Sequence, residues 1–240
     1  MPSSNPTLRP ATFESIERST GPVMSLSGTI NRSAILLLLV ILGASFTWSN
    51  TSQYAQILTF GGAIAGFILA MVTIFKMQWS PYTSPVYALC QGLFLGGISA
   101  MYNAQSQGIV VQAVMLTFGV FAAMLFLYQA RIIRVNNTFR TVITAAIGGI
   151  VLVYLVSLGL SFFGIKMPLL NDASPIGIGI SLFIVGIAAL SLALDFDTIE
   201  KGIEAQMPRY MEWYCAFGLM VSLIWLYLEI LRLLSKINRR

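Results

Sequence analysis

Seven long apolar runs occupy most of the chain, and they constrain its fold more than any other feature. Each run approaches the length of about 20 residues that a helix needs to cross the hydrocarbon core of a bilayer. The approximate bounds are 30–48, 56–75, 84–101, 108–130, 141–163, 176–196 and 211–234. The apolar residues are continuous rather than alternating, which favours helices over barrel strands. The sequence therefore predicts an all-α integral membrane protein, a bundle of seven transmembrane helices.

The composition leaves little room for a second, soluble domain. Hydrophobic residues make up 57% of the chain and charged residues 10%, whereas soluble domains carry about 25% charged residues. Residues 1–27 are polar and rich in Ser, Thr and Pro, so we predict a mobile N-terminal tail there. Residues 28–240 are expected to form one membrane domain. Its sixth run has an open boundary, because it can also end near Leu194.

Basic residues indicate the orientation of the chain. Lys and Arg are enriched in loops on the cytoplasmic side of a membrane, and most of them fall on the side of the N-terminus if all runs cross. We therefore expect a cytoplasmic N-terminus. The basic C-terminal end, with Arg232 and Lys236, conflicts with this pattern. Either the C-terminus lies outside, or one run does not span, most plausibly the last, which carries Glu229.

Two acids at the end of the sixth run stand out, because charge near lipid is costly and usually functional. Asp195 follows the unbroken stretch SLFIVGIAALSLAL. Asp197 has Lys201 four residues later, and Glu229 has Arg232 three residues later, so local ion pairs account for both acids. Asp195 has no such cation. Since Asp195 and Asp197 lie about 200° apart on a helix, we predict that Asp195 faces the interior and Asp197 the rim.

Several function classes lack the residues they need. The chain has no histidine, which removes the commonest metal ligand and general base. Cys90 and Cys215 lie within apolar runs and are expected to be packed thiols. We find no EF-hand-like loop or nucleophile–base arrangement, so we expect neither an enzyme nor a bound cofactor. The glycine pairs Gly62/Gly66 and Gly92/Gly96 predict close helix–helix packing.

Three stretches carry a family resemblance. LALDFDTIEKG, the following MEWYCAFGLMVSLIWLYLEILRLL, and SPVYALCQGLFLGGIS at 84–99 resemble the transmembrane Bax inhibitor motif family, especially its bacterial branch. The resemblance implies seven helices with the C-terminal helix in the middle. It also implies a calcium leak that depends on pH, located in the bacterial cytoplasmic (inner) membrane.

The family's pH-sensing residues can be carried over only in part. In relatives, an aspartate late in helix six pairs with an aspartate in helix seven. Asp195 matches the first, but the second position falls on Ser222, which cannot share a proton as a carboxylate does. Two alternatives supply a second acid: Glu229, about two turns beyond Ser222 on the same face, or Asp197 or Glu212 from the other end of the helices.

Two functions follow from the resemblance. The first is a calcium or other cation leak channel gated by protonation around Asp195, with Lys76 as a cationic latch and Ca²⁺ as the permeant ion. The alternative is a non-transporting regulator of stress or cell-death-suppressor type. Residues 1–27 and 197–210 would then bind other membrane proteins, such as a membrane protease. In both cases the lipid bilayer is the environment, and no nucleic acid is expected as a partner.

Overall fold

Seven α-helices make up the fold over residues 21–49, 53–163 and 172–239, which are the residues that the computed structural model describes. They are α1 Leu26–Trp48, α2 Gln53–Phe75, α3 Ser80–Gln105, α4 Ile109–Gln129, α5 Asn137–Phe162, α6 Pro175–Glu204 and α7 Met211–Asn238. A short 3-10 turn, Met77–Trp79, precedes α3. All seven helices are long and apolar enough to cross a membrane. The predicted all-α bundle is confirmed.

Successive helices run in alternating directions, so the bundle has two ends. At the first, which we call the acidic end, α6 ends and α7 begins. There the hydroxyl of Ser80, the first residue of α3, donates to the carbonyl oxygen of Tyr210 at 3.0 Å. At the second, the C-terminal end, Arg239 donates to Gln105 at 2.6 Å. With an odd number of spans, α1 begins and α7 ends on opposite sides of the bundle.

Helix α7 lies in the middle of the bundle. It packs against α1, α3, α4 and α6, and half of its most apolar window is buried, the largest share of any helix. Leu226 and Leu231 are fully buried. Because lipid covers only the outside of a bundle, a helix surrounded by four others can carry polar side chains more cheaply. This explains why α7 holds two buried acids, Glu212 and Glu229.

Glycines allow α3 to approach α1 and α2 closely, as the glycine pairs predict. A Cβ atom on Gly92 would lie 3.0 Å from the Cα of Gly43 on α1 and would overlap the backbone of Val40. A Cβ on Gly62 of α2 would lie 2.6 Å from the carbonyl oxygen of Cys90. Backbone contact at this range leaves no room for a side chain, so these glycines are required for packing.

Two boundaries differ from the sequence prediction. Helix α6 continues to Glu204, beyond the predicted end at 196, because Asp197 and the residues after it are paired and do not need to leave the helix. The predicted mobile tail is wrong for its last residues. Residues 21–25, which we call the N-terminal strap, bond to the α6–α7 turn, with Met24 N–H donating to Met207 O at 2.8 Å. Residues 1–20 lie outside the described residues.

The basic C-terminal end has a structural explanation. Lys236 is buried, and its ammonium donates to the carbonyl oxygen of Gly177 at 3.1 Å and to the hydroxyl of Ser181 at 2.7 Å. Arg232 is held by Glu229 at 3.1 Å. These two cations therefore bind within the bundle, and they say little about orientation. The basic C-terminal end therefore no longer argues that the last run fails to span, and α7 is long and apolar enough to cross a membrane.

Candidate functional site

The α6–α7 hairpin brings Asp195 against a face of small residues on α7. Gly218 lies close enough that a Cβ there would be 3.8 Å from Oδ1 of Asp195. Ser222 follows one helical turn later, and its hydroxyl interacts with the Asp195 carboxyl group. Cys215, one turn earlier, also lies within electrostatic range. These α7 residues are spaced by three and four positions, so they share one face of the helix.

Asp195 has no cation beside it. Its Oδ2 atom is buried and is the one carboxylate oxygen of the described residues that is both buried and without a hydrogen-bond partner. A buried polar group of this kind costs free energy unless it is neutralised or reached by water or an ion. Of the ion pairs that the structure describes, none involves Asp195. Among the described residues, Asp195 is therefore the acid with a buried carboxylate oxygen that neither an ion pair nor a hydrogen bond satisfies.

Asp197 is more deeply buried than expected. It is 7% exposed, so the prediction that it faces the rim is wrong. Its Oδ2 accepts from Lys201 at 2.8 Å, as the sequence spacing predicts, and also from the guanidinium of Arg140. Arg140 lies in the first turn of α5 and crosses to α6. Two cations thus hold Asp197 and leave it unsuited to share a proton with Asp195.

A polar cavity of about 340 Å³ opens beside Asp197 at the acidic end. Tyr128, at the end of α4, donates a hydrogen bond to Glu200, and Arg131 lies 3.5 Å from the same carboxylate. Arg134 lines the opposite part of the cavity. The cavity therefore carries both signs of charge, with the acids contributed by α6 and the cations by the α4–α5 connection.

Glu212, in the first turn of α7, binds the N-terminal strap and does not contact Asp195. It is 3% exposed and accepts from both the backbone N–H and the hydroxyl of Ser25 at 3.1 Å. Arg32 and Arg209 lie 3.8 and 4.0 Å away. Ser25 also caps α1 by accepting from the N–H of Gly28. The carboxylate thus joins the start of α1 to the start of α7.

The remaining predicted residues lie away from Asp195. Glu229 is near the C-terminal end and accepts from Tyr154 at 2.8 Å, Trp225 at 3.2 Å and Arg232 at 3.1 Å. Lys76 is exposed, and its ammonium lies 4.5 Å from the ring centre of Trp79. The described ion pairs include none between Lys76 and an acid. The structure therefore brings together Asp195 and Ser222, but neither Glu229 nor Lys76 joins them.

The site around Asp195 offers few oxygen atoms that could bind a cation. In the described part of the chain, no three His, Cys, Asp or Glu side chains lie close enough to hold a metal ion. Calcium takes six to eight oxygen ligands, and the site offers the Asp195 carboxylate and the Ser222 hydroxyl.

Sequence reasoning missed the partners of the paired acids. Arg140, Tyr128 and Tyr154 were not singled out, because they lie on other helices than the acids they bind. A signal was present for Arg140, which is a lone cation inside the first turn of an otherwise apolar run. For the tyrosines there was none, since aromatic residues are common near both membrane interfaces.

The bundle and its unpaired acid define a polytopic helical membrane protein with a polar centre at the α6–α7 hairpin. A family model described as Bax inhibitor 1 like matches residues 5–239. The chain therefore belongs to the Bax inhibitor 1-like family, and the resemblance seen in its sequence is confirmed. Searches of curated proteins and of solved structures found no match.

Replacing Glu212 with glutamine is expected to lower the free energy of unfolding by about 1–3 kcal/mol, the range for losing a buried charged hydrogen bond. The amide keeps one acceptor oxygen but no charge to balance Arg32. The measurement is thermal and denaturant unfolding in detergent. Glu204→Gln is the matched control, because Glu204 is exposed near the same end of the bundle. Equal shifts for both variants would contradict a specific role of Glu212 in holding the strap.

Proposed function

We propose that this chain conducts cations, with calcium as the main permeant ion, as a leak whose rate depends on pH through protonation of Asp195. The Ser222 hydroxyl takes the place of the second aspartate that relatives carry. The site is then a single titrating carboxylate with a neutral oxygen partner, not a pair of acids that share a proton. Charge on Asp195 attracts the cation, and protonation removes that attraction.

One observation carries this proposal, the buried Oδ2 of Asp195 without a partner. Asp197, Glu212 and Glu229, the three buried acids of the described chain, each have an arginine within 4.0 Å. These ion pairs stabilise the charged form of each buried acid, so its burial needs no functional explanation. Asp195 gains no such stabilisation from its surroundings. An ionisable group in that position inside a membrane protein is typical of an ion or proton pathway.

The position of Asp195 also fits a pathway between the two ends of the bundle. It lies where α6 and α7 face each other, and small residues on α7 leave space beside it. The acidic end is adjacent, with Asp197 and Glu200 lining the polar cavity of about 340 Å³. A cation that enters there would meet Asp195 as the next carboxylate along α6.

The experiment is calcium flux into proteoliposomes at about pH 6 and pH 8, with wild type compared with Asp195→Asn. The asparagine variant imitates the protonated carboxyl group. We expect the wild type to leak faster at pH 8, when the carboxylate is charged. The variant should leak at the slow rate at both pH values, about tenfold below the wild type at pH 8, because focused charge raises local cation concentration by at least that factor.

Three controls make the result specific. Glu204→Gln changes an exposed acid of the same helix and should leave flux and its pH dependence unchanged. Ser222→Asp restores the pair of acids found in relatives and should shift the pH dependence. Asp195→Asn should unfold no more easily than wild type, because it removes an unpaired buried charge. If Asp195→Asn keeps the wild-type pH dependence, the role of Asp195 is refuted, and absence of flux from the wild type at both pH values would refute the leak.

Regulation of other membrane proteins is the second candidate function. Its support is the N-terminal strap, which joins the predicted tail to the predicted 197–210 contact region through hydrogen bonds from Met24 to Met207 and from Arg209 to Pro22. Those two stretches would then form one surface. The measurement is cross-linking in native membranes, comparing the full chain with a variant lacking residues 2–20. Loss of a cross-linked membrane protease in the variant, with no flux in either, would favour regulation.

A further inference from the structure

A groove of about 670 Å³ runs along the side of the bundle between α1 and α4. We call it the α1–α4 groove. Helix α1 forms one wall with Leu37, Val40, Ile41 and Ala44, and α4 forms the other with Val110, Val114 and Phe118. Helices α3 and α7 form its floor with Leu95, Gly96, Ser99, Met220, Leu223 and Tyr227. The groove is open toward the lipid, since Ile41 is 50% and Val114 38% exposed.

The polar groups in the groove are already satisfied by the protein. Ser99 and Tyr227 bind each other across the floor at 2.6 Å. The hydroxyls of Thr117 and Ser45 donate to carbonyl oxygens of their own helices, at 2.7 and 2.8 Å. The described residues that line the groove include no charged side chain. The surface it offers is therefore hydrocarbon, which fits an apolar ligand and excludes an ion path.

The length of the groove matches one leaflet of a bilayer. Its lining on α1 extends from Leu37 to Ser49, which is about 18 Å of helix rise. Half of the hydrocarbon core is about 15 Å thick. Trp48 and Ser49 lie at its mouth, at the C-terminal end of the bundle, and tryptophan is enriched at membrane interfaces. The groove thus runs from the interface to the membrane centre.

We propose that the α1–α4 groove binds one acyl chain of a membrane phospholipid, with the headgroup beside Trp48. A volume of 670 Å³ is in the usual range for ligand sites. Apolar cavities stay dry, and lipid chains are what surrounds this face.

The groove and the candidate pathway lie on opposite faces of α7. Met220, Leu223 and Tyr227 face the groove, whereas Gly218 and Ser222 face Asp195. The two faces are about 160° apart around the helix. A bound acyl chain would therefore support α7 from the side away from Asp195, so this site is separate from the proposed leak and does not depend on it.

The test uses the full chain in phosphatidylcholine vesicles that contain a photoreactive diazirine on one acyl chain. After illumination, mass spectrometry locates the labelled residues. We expect labelling of the floor at Leu95 and Leu223, in addition to ordinary lipid-facing residues such as Leu152. Val114→Trp fills the groove and should reduce floor labelling by at least about tenfold, the factor that corresponds to ~1.4 kcal/mol of binding. Labelling of Leu152 should not change.

The control is Val151→Trp, the same substitution on the lipid-facing side of α5, which should leave floor labelling as in wild type. If Val114→Trp does not fold, Ile41→Trp fills the groove from the other wall. A wild-type floor that stays unlabelled while Leu152 is labelled would overturn the proposal, whether a second copy covers the groove or nothing does. Floor labelling that persists in a folded, groove-filled variant would also overturn it.

Discussion

Substituting Gly92 with alanine is expected to lower the free energy of unfolding by about 1–3 kcal/mol, the cost of overpacking a tightly packed interior. The added methyl group would overlap the backbone of α1 at Val40 and would lie 3.0 Å from the Cα of Gly43. Backbone atoms cannot rotate away as a side chain can. Helices α1 and α3 would therefore have to separate along their whole contact.

The matched control for this prediction is Gly119→Ala. Gly119 lies in the middle of α4, and a Cβ there meets nothing within 4 Å. Alanine should be neutral or stabilising by up to about 1 kcal/mol, because it favours the helix more than glycine does. Denaturant titration in detergent, followed by circular dichroism, measures both. Similar losses in the two variants would show that helix propensity, and not close packing, determines the effect.

The second large effect is expected for Asp197→Asn, which should cost about 3 kcal/mol, the lower end of the range for breaking a buried ion pair. The substitution leaves Arg140 and Lys201 without their carboxylate. Their side chains are 20% and 54% exposed, so they partly recover hydration, which keeps the loss at that lower end. Since Arg140 lies in the first turn of α5, the start of this helix should also lose its ion pair with α6.

Glu200→Gln is the control that separates the effect of burying an ion pair from the effect of the ion pair itself. Glu200 lies three residues later on α6 and also pairs with an arginine, but the side chains of Glu200 and Arg131 are 42% and 77% exposed. Exposed pairs contribute about 0–1 kcal/mol, so this variant should be nearly as stable as wild type. Combining Asp197→Asn with Arg140→Gln should recover part of the loss. Equal destabilisation by Asp197→Asn and Glu200→Gln would contradict the argument.

The sequence predicts the spanning helices well because lipid imposes a single rule on all of them. Continuous apolar runs identify each of α1 to α7, and the glycine pairs correctly predict where α3 packs closely. Asp195 was separated from the other acids by the absence of a cation one turn later. Such features depend on neighbours in the sequence or on the solvent, so one chain is enough to reveal them.

The errors concern contacts between helices. Asp197 was placed at the rim because helical spacing describes only α6, whereas its burial depends on Arg140 from α5. Lys236 was counted as a topological charge, although it binds the first turns of α6. The polar composition of residues 1–27 predicts mobility, but Met24 is buried and its N–H binds Met207 in the α6–α7 turn. In each case the deciding partner is distant in sequence.

Helix α5 differs from the other helices in how it is held. It packs on α6 alone among the extended helix interfaces, and only 11% of its apolar window is buried. Arg140 fixes its start to Asp197, and Tyr154 links its middle to Glu229. Without either polar contact, α5 would be held mainly by its apolar packing on α6, where Ile143 and Ile150 cluster with Ile184 and Ile187.

The N-terminal strap connects the beginning of α1 to the turn between α6 and α7. Its bonds to the α6–α7 turn, through Met24 and Pro22, fix the segment that precedes α1 to the bend of the hairpin that carries Asp195 and Ser222. The start of α1 and the turn between α6 and α7 are therefore held together as one hydrogen-bonded unit at the acidic end.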